Sequence, residues 1–248
     1  MDLFWDWFRW LHETTGINLT IFYDKFDRGR FASGFLTTVR ISAICIVLSV
    51  LIGILGAWLQ GSRLRITRNV VHWYIQFFRN TPPLVQLYFF YFGIGSLLKN
   101  AADGSGGGVP LVSNVAWAII SLSFFAGAFN VEIFRSGIEA VPKTTIEAAE
   151  SLGFSRLRTY LFIVLPLAFR ISLPALNNNL VNLVKTTTLA YAIAVPEMLY
   201  VSSQIWSDEL NVPVMMNVLL ICYFLLVGSL VYVMHRWERA IRVPGFGA

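Results

Sequence analysis

Apolar residues run through this chain in five long blocks, at about 34–60, 80–99, 113–135, 171–198 and 214–235, parted by short polar stretches. The core of the first, Ile41 to Leu59, carries no charge over 19 residues, close to the roughly 20 that a helix needs to cross a bilayer. Each block is read as one membrane span. Ser49, Gly53 and Ala57 recur every fourth residue in the first, the small-residue spacing that lets two helix backbones approach closely. The second opens on Thr81-Pro82-Pro83; neither proline can donate a backbone hydrogen bond, so a short helix ahead of it should end there and a second span begin. The fourth block is the most polar, with Pro174, Asn177, Asn178, Asn179, Asn182, Lys185 and Thr186 to Thr188. A helix puts Asn178, Asn182 and Lys185 on one face, and polar groups in hydrocarbon must find partners or water. That face lines a wet path, meets a second subunit, or hydrogen-bonds neighbouring helices.

Composition agrees. Of 248 residues, 56% are hydrophobic and 13% charged, whereas soluble domains carry about 25% charged residues. The chain is all-α and polytopic. Residues 1–30 stand apart: Phe4, Trp5, Trp7, Phe8, Trp10 and Leu11 alternate with Asp2, Asp6, Arg9 and Glu13, without the basic start and uncharged run of a signal peptide. They suit a helical segment lying in the membrane interface, the alternative being an unanchored tail, since a short isolated helix is marginal. Residues 31–248 form the transmembrane domain. The two cysteines, Cys45 and Cys222, sit in apolar runs and are expected to pack as small hydrophobes.

Charge orients the spans. Twelve basic residues fall on one side: Arg63, Arg65, Arg68, Arg79, Arg135, Lys143, Arg156, Arg158, Arg170, Arg236, Arg239 and Arg242. Five fall on the other: Arg9, Lys25, Arg28, Arg30 and Lys99. Basic loops stay in the cytoplasm, so the N-terminus lies outside and the C-terminus inside. Arg40 and Lys185 are within spans; Arg40 either snorkels to the interface or meets an anionic solute. The net charge of +5 belongs to this asymmetry and not to nucleic acid.

Between the third and fourth spans lies a polar loop at about 139–166. Thr144 precedes Glu147 by three residues in the capping-box spacing, so a helix should start there, with Ala148 and Ala149 giving it a narrow face. Gly153 ends it. A second short helix should begin at Ser155 and close at Leu165-Pro166. Residues 202–213, SSQIWSDELNVP, read as a short outer loop, and NAADGSGGGVP as a flexible one. No Gly-Lys-Ser/Thr occurs, so the chain has no phosphate-binding P-loop. His12, His72 and His235 are scattered, which offers neither a catalytic cluster nor a metal site.

Glu147-Ala148-Ala149, three residues, Gly153, nine residues, Ile163, one residue, Leu165-Pro166 resembles the EAA loop of bacterial ABC importer permeases. Phe78-Arg79-Asn80-Thr81-Pro82, with Val85-Gln86-Leu87, is similar to the F-R-G-T-P-L-L-V-Q of that family's polar amino acid branch. Glu132-Ile133-Phe134-Arg135-Ser136-Gly137-Ile138 is similar to its E-I-F-R-G-G-I, and Lys185-Thr186-Thr187-Thr188-Leu189 to its K-x-T-S-L. Asn80, Pro83, Thr144-Thr145 and Thr188 depart from the usual wording. The resemblance implies the type I ABC importer permease fold and a multi-pass place in the bacterial inner membrane. It implies that Glu147, Ala148, Ala149, Gly153, Leu165 and Pro166 couple to a separate ATPase, and that Asn178, Asn182, Lys185, Thr188 and Arg40 are candidates for the substrate path or subunit interface. The partners implied are two copies of an ATPase, which uses ATP and Mg, a second identical or homologous permease, a solute-binding protein, an amino acid and membrane lipid. No cofactor is expected in this chain. The alternatives are a secondary amino acid transporter, a membrane enzyme, or an ABC permease for another small amine or opine-like solute. A secondary transporter should carry an intramembrane acid and an internal repeat, yet Glu132 and Glu197 lie at span ends and no repeat is seen.

Overall fold

The computed structural model describes residues 2–98 and 110–241. Lys99, nearly all of the glycine-rich loop, and residues 242–248, Arg242 among them, lie outside the described residues. Within the described residues, the chain is helical and holds no strand: α1 (Asp2–Thr15), α2 (Thr20–Tyr23), α3 (Lys25–Gln60), α4 (Arg65–Asn80), α5 (Pro83–Leu97), α6 (Asn114–Glu139), α7 (Lys143–Ser151), α8 (Arg156–Ile193), α9 (Met198–Glu209) and α10 (Val212–Ile241). Four of them, α3, α6, α8 and α10, are long and apolar enough to cross a membrane, and α5 is apolar but shorter. The Thr81-Pro82-Pro83 break falls where the prolines require it, between α4 and α5.

Residues gather into two compact units. The first holds residues 1–44, 84–121 and 184–228; the second holds 45–83, 122–183 and 229–248. In the first, Ile21, Val201, Ile205 and Met215 form a core against Phe22, Phe31, Trp206 and Val218. In the second, Ala57, Phe134, Leu176 and Leu180 form one cluster and Val71, Ile75 and Val131 another. The small-residue face of α3 packs as its spacing requires. A β-carbon on Gly53 would stand 2.4 Å from the β-carbon of Asn130, and one on Gly56 would stand 2.3 Å from Val131 Cγ2, so only glycine permits this approach of α3 to α6.

Three boundaries differ from the sequence reading. α3 starts at Lys25, ahead of its apolar run, because Asp24 Oδ1 accepts the N–H groups of Phe26 and Asp27 at 2.8 and 2.9 Å, as an N-cap does. Leu165-Pro166 does not close a helix. Tyr160–Val164 is a π-helical turn that leads directly into Leu165–Thr186, and this widened turn accommodates the N–H that Pro166 lacks. The expected outer loop at 202–213 is mostly α9. Its N-cap is Glu197, whose carboxylate accepts the N–H groups of Leu199 and Tyr200 at 2.9 and 2.8 Å and the hydroxyl of Tyr223 at 2.9 Å. Met198, Val201, Ser202 and Ile205 are its buried face, at steps of three, one and three.

Candidate coupling loop and polar helix face

The loop at 139–166 is built on two stems. α6 leads in and α8 leads out, and Val141, Val164 and Ala168 pack with Ile138, Ile146, Leu167 and Ile171 beneath α7. Gly137 on α6 sets the stems' closeness: the Ala168 carbonyl and Ser172 hydroxyl of α8 fill the space a side chain would need. Helix α7 does not use the expected capping box. Pro142 is its N-cap and no side chain caps it; the Pro142 carbonyl accepts the Thr145 N–H at 3.1 Å. Proline has no N–H to lose and its backbone is already set for entry, so Thr144 falls inside the helix and is freed from capping.

The far end of α7 is a Schellman closure. Phe154 N–H donates to the Ala149 carbonyl at 3.1 Å and Gly153 N–H to the Glu150 carbonyl at 3.0 Å, with Gly153 at φ +85°. This is the left-handed position that favours glycine. Ala149 is buried, at 4% exposure, while Glu147 and Ala148 are exposed. The Glu147 side chain has no hydrogen bond or ion pair among the described residues. Beyond the turn Ser155 takes the N-cap position of the next helix, as its sequence suggests. Leu152, Phe154 and Leu157 are exposed apolar side chains set among exposed Arg156 and Arg158. Leu165 is half-buried and Pro166 exposed. The sequence reading missed the apolar trio, whose signal was three large hydrophobes on a stretch otherwise rich in charge.

The asparagines of α8 divide by role. Asn177 Nδ2 donates to Glu238 Oε2 at 3.3 Å, and Asn179 Nδ2 donates to the Ala126 carbonyl at 3.0 Å and to Asn130 Oδ1 at 2.8 Å. These two tie α8 to α10 and α6. Asn178, Asn182 and Lys185 are exposed and share a face at steps of four and three. Thr188 turns its hydroxyl back to the Lys185 carbonyl at 2.9 Å, and Arg40 is exposed on α3. One further pair joins two of the quoted motifs: Arg79 at the end of α4 forms an ion pair with Glu132 of α6, and its guanidinium lies 5.4 Å from the Phe129 ring centre. Among the described residues no group of His, Cys, Asp and Glu could hold a metal ion.

This helical architecture, with a small glycine-closed knuckle between two long apolar helices, has counterparts among known proteins. Residues 30–242 match the family described as the binding-protein-dependent transport system inner membrane component. The chain belongs to this family, whose members are multi-pass permease subunits working with an ATPase and a permease partner. It is 32% identical over 167 residues to the probable glutamine ABC transporter permease protein GlnP of Bacillus subtilis, covering 67% of this chain and 72% of the relative. It is 31% identical over 170 residues to the histidine/lysine/arginine/ornithine transport system permease protein HisQ of Escherichia coli, covering 68% and 75%. A crystal structure of an amino acid ABC transporter with histidines superposes with a TM-score of 0.76 at 25% identity, covering 86% of this chain and 94% of that one. The inward-facing MetNI methionine ABC transporter shares the fold, at 17% identity and a TM-score of 0.68 over 89% of this chain and 100% of that one.

Proposed function

We propose that this chain carries polar amino acids into the cell as part of an ATP-driven importer, and that loop 139–166 is where it meets its ATPase. The observation that carries the reading is the knuckle itself. Exposed Glu147, Ala148, Leu152, Phe154 and Leu157 flank a left-handed Gly153 along the chain, on stems brought close at Gly137. Exposed apolar side chains set among charged ones suit a protein partner, while Ala149 is buried and Ile146 packs α7 onto its base. Leu165 and Pro166, within α8, transmit its position along that span. ATP and Mg belong to the ATPase, present in two copies, and a solute-binding protein delivers the amino acid. The relatives named above for glutamine and for histidine, lysine, arginine and ornithine support the solute class. Asn178, Asn182, Lys185, Thr188 and Arg40 belong to the path or to the interface with the second permease.

The same reading has five crossings with the N-terminus outside and residues 1–30 on the outer face. α5 is the fifth crossing. Without it, the basic group Arg63 to Arg79 and the basic group Arg135 to Arg170 would fall on opposite sides, against the rule that cytoplasmic loops hold the arginines and lysines. In cells whose permease lacks Cys45 and Cys222, a cysteine at Ser207 should react with an impermeant thiol reagent and one at Ser155 should not; the reverse pattern sinks the orientation.

The function is tested in proteoliposomes holding the purified complex. Solute-loaded binding protein should raise ATP hydrolysis, and labelled glutamine, histidine or arginine should accumulate only when ATP is enclosed on the ATPase side. Accumulation driven by an ion gradient without ATP would establish a secondary transporter instead.

A further inference from the structure

The stretch shared with the family begins at residue 30, yet the residues before it are bound firmly into the first unit. Phe8 of α1 stacks on Phe22 of α2, ring centres 4.4 Å apart. Arg28 reaches back over the Trp5 ring at 4.7 Å. The segment then grips the far end of α9. Asn18, 8% exposed, donates to Glu209 Oε2 at 3.1 Å and accepts the Tyr23 hydroxyl. The Asn18 backbone carbonyl accepts from Asn211 Nδ2 at 2.9 Å. Arg30 bridges Asp27 and Asp208 at 2.8 and 2.9 Å. Ile21 is in the core with Val201, Ile205 and Met215. Polar groups removed from water in this way are costly to leave unpaired, which makes the grip specific.

α1 has three faces. Trp5, Phe8 and His12 turn toward α2 and the start of α3. Asp6, Arg9 and Glu13 are exposed. Trp7 and Trp10 are 50% and 55% exposed and share a stripe with Leu11, at steps of three and one. Trp7 meets the Phe8 ring edge-on, centres 4.9 Å apart, and Leu11 is half-buried, but about half of each tryptophan stays uncovered. Tryptophan is enriched where membrane meets water, because its ring is apolar and its N–H seeks water or headgroups. In the same unit, Phe26, Phe35 and Leu36 of α3, a helix long and apolar enough to cross a membrane, are also exposed.

We infer that α1 lies in the headgroup–acyl boundary of the bilayer with Trp7 and Trp10 inserted, and that through Asn18, Ile21 and Arg30 it straps the C-terminal end of α9 to the membrane surface. The inference rests on the membrane reading above but not on which leaflet α1 meets.

The test uses the complete transporter in lipid nanodiscs, which expose both leaflets. In a Cys45→Ala/Cys222→Ala background, spin labels at Trp7→Cys and Trp10→Cys should collide with oxygen more than with a soluble nickel chelate, and labels at Asp6→Cys and Glu13→Cys the reverse. Equal nickel access at all four overturns the inference. So does protection of positions 7 and 10 that arises only when a solute-binding protein is added, which would make the stripe a protein-docking surface. Hydrogen exchange reads the strap: Trp7→Ser/Trp10→Ser should speed exchange in residues 198–209 several-fold, whereas Trp7→Phe/Trp10→Phe, still apolar, should leave it slow. Unchanged exchange in the serine variant refutes the strap. Failure of the cytoplasmic-loop reading, by contrast, shows only in the labelling of Ser155 and Ser207.

Discussion

Ser172 Oγ occupies the place a β-carbon on Gly137 would take, 1.9 Å from that point, with the Ala168 carbonyl oxygen 2.7 Å from it. The hydroxyl is held there by donating to the carbonyls of Ala168 at 2.8 Å and Ile133 at 3.2 Å. The helix entering loop 139–166 and the helix leaving it therefore meet backbone to backbone, and the spacing of the two stems is set by the missing side chain.

Any side chain at position 137 must push the stems apart. Overpacking of this kind costs about 1–3 kcal/mol, so Gly137→Val should lower the melting temperature of the purified complex and weaken solute-stimulated ATP hydrolysis. Because a backbone oxygen is one of the two obstacles, Ser172→Ala should recover little of the loss. Full recovery in the Gly137→Val/Ser172→Ala double variant would show that the hydroxyl alone sets the spacing.

The ion pair of Arg79 and Glu132 asks a different question. Its side chains are 39% and 37% exposed, and a pair so open to solvent contributes about 0–1 kcal/mol. Its value is in placing the end of α4, ahead of the proline break, against α6. Arg79→Glu should reduce uptake with little change in stability, and Arg79→Glu/Glu132→Arg should restore part of it. Restoration stays partial because the arginine no longer faces Phe129. A double-mutant cycle on uptake rates that shows no coupling between the two positions would remove this role.

What the sequence made legible was whatever depends on local pattern. The long apolar blocks became helices, Thr81-Pro82-Pro83 became a break, and Gly153 took the left-handed turn, which glycine enters most freely. What stayed hidden depends on partners distant in sequence. Asn177 and Asn178 are neighbours of identical type, yet one meets Glu238 on α10 and the other faces outward; only the packing of α8 decides. The Thr144–Glu147 spacing satisfied a capping rule that Pro142 pre-empted two residues earlier. Helix α9 was readable, since Glu197 ahead of Met198, Val201, Ser202 and Ile205 carries both a cap and a periodic face. Ser203 and Gln204 within that run, and Ser207 and Asp208 after it, masked it as a loop.

That division of the asparagines makes the polar face testable. Asn182→Leu and Lys185→Met should impair uptake while the protein remains in the membrane, because both side chains are exposed on the face assigned to the path or the subunit interface. Asn179→Leu should instead lower stability, since it leaves the buried side chain of Asn130 without its bond; hydrogen bonds between membrane helices average about 0.6 kcal/mol. Uptake assays alongside thermal unfolding separate the two classes. Normal transport by both Asn182→Leu and Lys185→Met would remove the outward face from the path and the interface.

At the knuckle, the contrast between Gly153 and Glu147 separates shape from charge. A β-carbon on Gly153 meets nothing within 4 Å, so crowding is not the obstacle; the backbone is. At φ +85° a β-branched side chain is strained, and relief would require undoing the bonds from Phe154 and Gly153 to the Ala149 and Glu150 carbonyls. Leu152, Phe154 and Leu157 would then point elsewhere. Glu147 is exposed and has no side-chain partner among the described residues, and an exposed ion pair with another subunit is worth only about 0–1 kcal/mol. Gly153→Val should therefore abolish most solute-stimulated ATP hydrolysis, while Glu147→Gln retains most of it. Gly153→Asn should fall between them, since asparagine tolerates the left-handed region better than valine. Throughout, a cysteine at Ser207 should react as in the unaltered permease, which confirms insertion. Full stimulation in Gly153→Val, measured beside the unaltered complex, would show that this turn does not couple the permease to its ATPase.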